Sequence, residues 1–154
     1  MAKQSNPHPE LTLLHRSLTV YPDSPDRARL EAFHNAFPQR PYQIRFDCPE
    51  FTSLCPITGQ PDFGTLTIEY IPAKLCLESK ALKLYLFSFR NHPAFHEEVV
   101  NRILEDLVKL LTPRYLKVIG NFNPRGGIAL NVTAEYPDQP TALGNTSSSK
   151  KLRA

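Results

Sequence analysis

Apolar and polar residues alternate over Tyr42, Ile44, Phe46 and Cys48, and again over Leu66, Ile68 and Tyr70, with Thr65, Thr67 and Glu69 interleaved. A period of two puts successive side chains on opposite faces of a pleated strand, so both stretches predict half-buried strands. Further on, the period changes. Phe95, Val99, Val100, Ile103, Leu104, Leu107, Val108 and Leu111 recur at helical spacing with polar residues opposite, and Thr112-Pro113 closes the run. Residues 115–122, and then Ile128, Leu130, Val132, Ala134 and Tyr136, predict two more strands joined by Asn123-Pro124-Arg125-Gly126-Gly127. Residues 78–91 fit two patterns: Leu82, Leu84 and Leu86 alternate as in a strand, while Ala81, Leu82, Tyr85 and Phe89 line one side of a helix. Read as a helix, the segment makes the order ββααββ, an α+β layer with an antiparallel sheet and both helices on one face.

The ends differ from this middle. Residues 1–41 hold Pro7, Pro9, Pro22, Pro25, Pro38 and Pro41 with short apolar groups such as Leu11, Leu13 and Leu14, which suit an arm packing on a neighbour. Residues 138–154 are rich in Ser, Thr and Lys, have little to bury, and are expected to form a flexible tail. Residues 42–137 remain as one domain, in keeping with 154 residues around a single core.

Charge and cysteine usage narrow the function. The net charge of +3 is spread along the chain, so no footprint for direct contact with nucleic acid is expected, and Lys150, Lys151 and Arg153 read as a solvated terminus. No apolar run approaches membrane-spanning length. Cys48, Cys55 and Cys76 form an odd set without close pairs, and no apolar leader opens the chain, which points to a reducing cytoplasm. The five histidines lack HExxH spacing and the cysteines lack CxxC spacing, so no catalytic metal is expected.

Cys55 lies in Phe51-Thr52-Ser53-Leu54-Cys55-Pro56-Ile57-Thr58-Gly59-Gln60-Pro61-Asp62-Phe63-Gly64, read as a turn-rich connection between strands. A nucleophilic thiol needs a thiolate fraction and a nearby proton carrier, and Asp62 in the same connection supplies the second. The bland alternative is a small apolar residue and an ordinary turn aspartate. Cys48 and Cys76 fall in apolar settings and read as core. His96, Glu97 and Glu98 open the long helix, where carboxylates favour the macrodipole; His96 and Glu97 are also placed to meet the N–H edge of a purine-like base. Lys80, Lys83, Arg90 and Arg125 supply cations in two separate places, either as a solvated face or for dinucleotide phosphates. No Gly-rich loop follows a strand, so neither a Rossmann unit nor a P-loop is supported.

Taken together, Cys55-Pro56-Ile57-Thr58-Gly59-Gln60-Pro61-Asp62, Glu78-Ser79-Lys80-Ala81-Leu82-Lys83-Leu84-Tyr85 and Phe95-His96-Glu97 resemble the QueF family of nitrile reductases in its short single-domain form. The resemblance runs from about Tyr42 to Tyr136. It implies the tunnelling fold (T-fold), with residues 78–91 helical, in an oligomeric barrel; short forms are decamers of two stacked pentamers with sites between subunits. It also implies NADPH as co-substrate, two per turnover, and 7-cyano-7-deazaguanine as substrate, reduced to the aminomethyl base on the route to queuosine in tRNA. By the same resemblance Cys55 forms a thioimide and Asp62 moves the proton. His96 and Glu97 hold the base, Leu77, Glu78 and Ser79 line its pocket, and Lys80, Lys83 and Arg125 meet the NADPH phosphates.

Two other readings stay open on the residues. One is a T-fold pterin- or purine-binding cyclohydrolase or synthase, which would use zinc or histidine. The other is a T-fold binding protein without catalysis, since a fold does not fix an activity.

Overall fold

The alternating segments form long strands. The computed structural model describes residues 8–14 and 18–137, and the tail expected at 138–154 lies outside the described residues. After a single 3-10 turn at Pro25–Arg27, the elements are β1 (Ala32–His34), β2 (Ile44–Leu54), β3 (Pro61–Ile71), β4 (Leu75–Leu77), α1 (Ser79–Phe87), α2 (His96–Leu111), β5 (Tyr115–Arg125) and β6 (Ile128–Tyr136). Strands β2-β3-β5-β6 pair in that order, antiparallel throughout, and β1 pairs with β4 in a separate two-stranded sheet. The ββααββ order therefore holds for the main sheet. The strands β1 and β4, three residues each, are additions that periodicity does not predict.

The open segment is a helix, for a local reason. Glu78 caps α1 with its carboxylate, accepting from the N–H groups of Lys80 at 2.9 Å and Ala81 at 2.7 Å. Those donors have no partner inside the helix, so the cap commits the first turn. Ala81, Leu82 and Tyr85 then face the core. In α2, Val99, Val100, Ile103, Leu107 and Leu111 are buried against Leu66, Ile68, Tyr70, Leu116 and Val118 of the sheet. Thr112 ends the helix in the left-handed region (φ 43°), its N–H bonded to the Val108 carbonyl, and Pro113 prevents continuation.

Two irregularities decide what points where. β2 carries one extra residue between Cys48 and Phe51, which face Leu66 and Gly64 of β3. β5 carries another between Phe122 and Arg125, which face Leu130 and Ile128 of β6. An extra residue reverses the alternation beyond it. The first bulge puts Phe51 and Ser53 on the helix-bearing face, where both are buried. The second turns Arg125 to the same side as Phe122.

Part of the N-terminal arm packs on its own chain, while Leu14 stays exposed. Leu11 is buried, and Glu31 accepts from the Thr12 hydroxyl at 2.5 Å and the Leu13 N–H at 3.1 Å. The Glu31 carbonyl in turn accepts the Glu78 N–H at 2.9 Å, tying the arm to the start of α1.

Candidate active site

β2 and β3 are longer than the alternation implies, which corrects the reading of the reactive loop. Only residues 55–60 connect them, so Asp62 is not a loop residue but the second residue of β3, directly across from Ser53. The connection closes on itself: the Cys55 N–H donates to the Gln60 carbonyl and the Gly59 N–H to the Cys55 carbonyl, each at 2.9 Å. Gly59 takes φ 68°, where a side chain is strained.

The turn acts on the thiol. The Thr58 hydroxyl, then the N–H groups of Thr58 and Ile57, and then the Arg125 guanidinium lower the Cys55 pKa to about 6. Each donor stabilises a sulfur anion, so Cys55 is mostly thiolate at neutral pH. Cys48 behaves oppositely, its thiol pushed up by burial.

Asp62 is buried between Arg125 and His96. Arg125 Nε lies 2.7 Å from its Oδ1 and His96 Nε2 lies 3.3 Å from its Oδ2. The His96 contact is close but misaligned, since Nε2 is a buried atom without a hydrogen bond. The histidine ring is held by stacking on Phe122 and by the chain ahead of α2. There the Leu54 N–H donates to the His92 carbonyl and the Ala94 N–H to the Leu54 carbonyl, so the helix start is pinned to the end of β2. Glu97 follows His96 and is exposed.

The structure thus gathers Cys55, Asp62, His96, Glu97 and Arg125 at one end of the sheet. Leu77, Glu78 and Ser79 stand elsewhere. The Leu77 N–H donates to the Tyr70 hydroxyl at 2.9 Å, beside the far end of β3, so the length of α1 separates these three from the Cys55 turn. Leu77 and Glu78 are buried and Ser79 is exposed.

The three cations assigned to phosphates also part company. Lys83 lines a cavity of about 860 Å³ along β2 and α1, together with Ser79, Arg90, Phe51 and Leu82. Lys80 Nζ donates to the Leu13 carbonyl at 2.7 Å, and Arg125 pairs with Asp62 instead of standing in a separate place. The cavity reaches the site's neighbourhood through Phe63 and Gly64, while Cys55 and Asp62 are not in its wall.

Sequence reasoning missed Thr58, Phe122 and Ser53. A hydroxyl three residues beyond Cys55 in a tight turn was a legible signal for Thr58. Ser53 Oγ, buried without a partner opposite Asp62, depends on the β2 bulge and left none. Among the described residues no three or more His, Cys, Asp or Glu side chains gather as a metal site.

Fold and site together define an α+β tunnelling-fold protein with a thiolate turn next to a buried carboxylate. A profile of the family described as QueF-like protein matches residues 61–141. NADPH-dependent 7-cyano-7-deazaguanine reductase from Streptococcus mutans is 58% identical over 82% of this chain and 78% of its own length. The protein of the same name from Bacteroides thetaiotaomicron is 57% identical over 82% and 83%. The solved apo structure of the archaeosine synthase QueF-Like aligns with a TM-score of 0.61 at 29% identity, covering 66% of this chain and 99% of that one. The chain belongs to the QueF family and is an oxidoreductase.

Proposed function

We propose that this protein reduces the nitrile of 7-cyano-7-deazaguanine to the amine of 7-aminomethyl-7-deazaguanine, using NADPH, on the cytoplasmic route to queuosine in tRNA. The observation that carries the reading is the Cys55 thiol held as an anion at a tight turn, with the carboxylate of Asp62 in the adjoining strand. A nitrile carbon is a poor hydride acceptor, and a thiolate converts it into a better one.

In the covalent step, a bond forms between the Cys55 sulfur and the nitrile carbon. One C≡N π pair moves to nitrogen, which takes up one proton from solvent. Asp62 relays that proton, and the product is a thioimide. NADPH, when bound, supplies hydride, twice per turnover. Between the two reductions the C–S bond breaks with its electron pair left on sulfur, so that Cys55 returns to thiolate and an imine stays bound in the site. The imine nitrogen takes a second proton from solvent with the second hydride.

His96 and Glu97 hold the deazaguanine edge. The exposed Glu97 carboxylate accepts N–H donors, and the unpartnered His96 Nε2 is left for substrate. We place the cofactor in the cavity along α1, where Lys83 and Arg90 provide cations for its phosphates, with Lys80 on the same helix.

The separation of Ser79 from Cys55 supports an assembly in which Leu77, Glu78 and Ser79 of one subunit complete the pocket of another, as in a decamer of two pentamers. So do exposed apolar residues bordering the site: Ile57 in the turn, Phe63 beside Asp62, Phe95 beside His96, and Ile128 opposite Arg125.

The reading is tested by mixing protein and 7-cyano-7-deazaguanine without NADPH and recording intact mass. The expected result is a gain of one substrate mass on wild type and none on Cys55→Ala. Nitrile-dependent oxidation of NADPH by Cys55→Ala at the wild-type rate would overturn it.

A further inference from the structure

Arg125 is the cation whose position phosphate binding does not explain. The bulge in β5 turns it onto the helix-bearing face, where Nε sits 2.7 Å from Asp62 Oδ1. Its Nη2 donates at 3.2 Å to the Gln60 carbonyl, the same oxygen that accepts the Cys55 N–H. One planar group therefore holds the acid and the closing bond of the nucleophile turn. A phosphate ligand needs a cation whose donors point outward, and these donors point at the protein.

We propose that Arg125 is a positioning residue for the covalent step, a fork that fixes the Asp62 carboxylate relative to the Cys55 turn. This rests on the reading of Cys55 as nucleophile. With Oδ1 held, Oδ2 is the oxygen left on the side of His96 to relay the proton as the S–C bond forms. The positive charge also stands beside the sulfur anion until its charge passes to the nitrile nitrogen. A lysine keeps the charge without the fork, because its point-like ammonium cannot bond both oxygens in one plane.

The test uses Arg125→Gln and Arg125→Lys in the full chain, with three readouts: the rate of adduct formation without NADPH, the pH profile of Cys55 alkylation by iodoacetamide, and KM for NADPH. Arg125→Gln is expected to slow adduct formation about tenfold or more and to move the alkylation midpoint up, with KM for NADPH changed by less than about twofold. Arg125→Lys is expected to keep the midpoint near wild type and still form adduct slowly. Wild-type adduct formation in Arg125→Gln, with only KM for NADPH raised, would make Arg125 a phosphate contact and end the proposal. Should Arg125→Gln fail to fold, the Arg125→Lys adduct rate decides: slow supports the fork, wild-type speed overturns it. If the wild type itself forms no adduct, the substrate assignment fails, and the alkylation profile alone then decides the role of Arg125: a midpoint raised in Arg125→Gln supports it, an unmoved one overturns it.

Discussion

His96 lies flat against Phe122, with ring centroids 3.8 Å apart and planes 5° from parallel, while its Nε2 stands 3.3 Å from Asp62 Oδ2 without a hydrogen bond. A buried ring nitrogen without a partner costs about 1–3 kcal/mol, a cost that native proteins concentrate where a ligand will supply the bond. Phe122 is itself fixed by an edge contact with Phe51, which the β2 bulge brings inward. The orientation of a site histidine thus traces back to one extra residue in a strand.

Phe122→Leu keeps most of the buried apolar volume and removes the stack. Aromatic pairs add about 0.5–1.5 kcal/mol beyond their area, so a loss of stability of about 1–2 kcal/mol is expected in urea melts. The loss in kcat/KM should be larger than that small destabilisation accounts for, because the imidazole gains freedom to rotate. Equal kcat/KM in the two proteins would show that the stack does not orient His96.

Thr58→Val deletes the largest contribution to the low pKa of Cys55. A thiol titrating near 6 is reactive from about that pH upward, so wild-type alkylation should rise through pH 6 and level off. Without the hydroxyl the anion is less favoured and the rise moves toward the ordinary thiol value of about 8.5. The variant should be alkylated several-fold more slowly at pH 7. Above pH 9 it should match or exceed wild type, since a more basic thiolate is the better nucleophile. Superimposable pH profiles would remove Thr58 from the account.

How much of this was legible beforehand follows from length and local chemistry. α2 and the long strands show many turns of one period, and the Cys55 turn and His96-Glu97 could be named by resemblance before their geometry was visible. The strand pair β1–β4 is too short to display any period, and its pairing of Ala32 with Leu77 spans distant sequence. Asp62 and Arg125 read as loop residues because Pro61 and Gly126-Gly127 beside them are turn signals. In the structure both strands run up to those signals. The bulges that aim Ser53 and Arg125 are tertiary features, and alternation in one strand carries no mark of them.

Glu78 separates a structural from a binding role. Its carboxylate caps α1 through two N–H groups while buried, so Glu78→Ala should cost about 1–2 kcal/mol in denaturant melts. Glu78→Gln retains a carbonyl acceptor and should cost less. If Glu78 only caps the helix, substrate KM will follow stability across the two variants. If it also meets the base, Glu78→Gln will raise KM out of proportion to its milder destabilisation.

Gly64 offers the sharpest test of the site's scaffold. It lies two residues beyond Asp62 in β3, and a Cβ built there would meet the Asn121 carbonyl oxygen at 2.7 Å and the Phe122 Cα at 3.1 Å. Both are backbone atoms of the paired strand, so no side chain can swing aside to relieve the clash. Gly64→Ala must push β5 away where Gly64 faces Phe122, and overpacking of this kind costs about 1–3 kcal/mol. The same displacement carries Arg125 and the Phe122 ring away from Asp62. The variant should therefore lose stability and, in the fraction that remains folded, show a raised midpoint for Cys55 alkylation. A glycine needed only for stability would lower the melting temperature and leave that midpoint where it is.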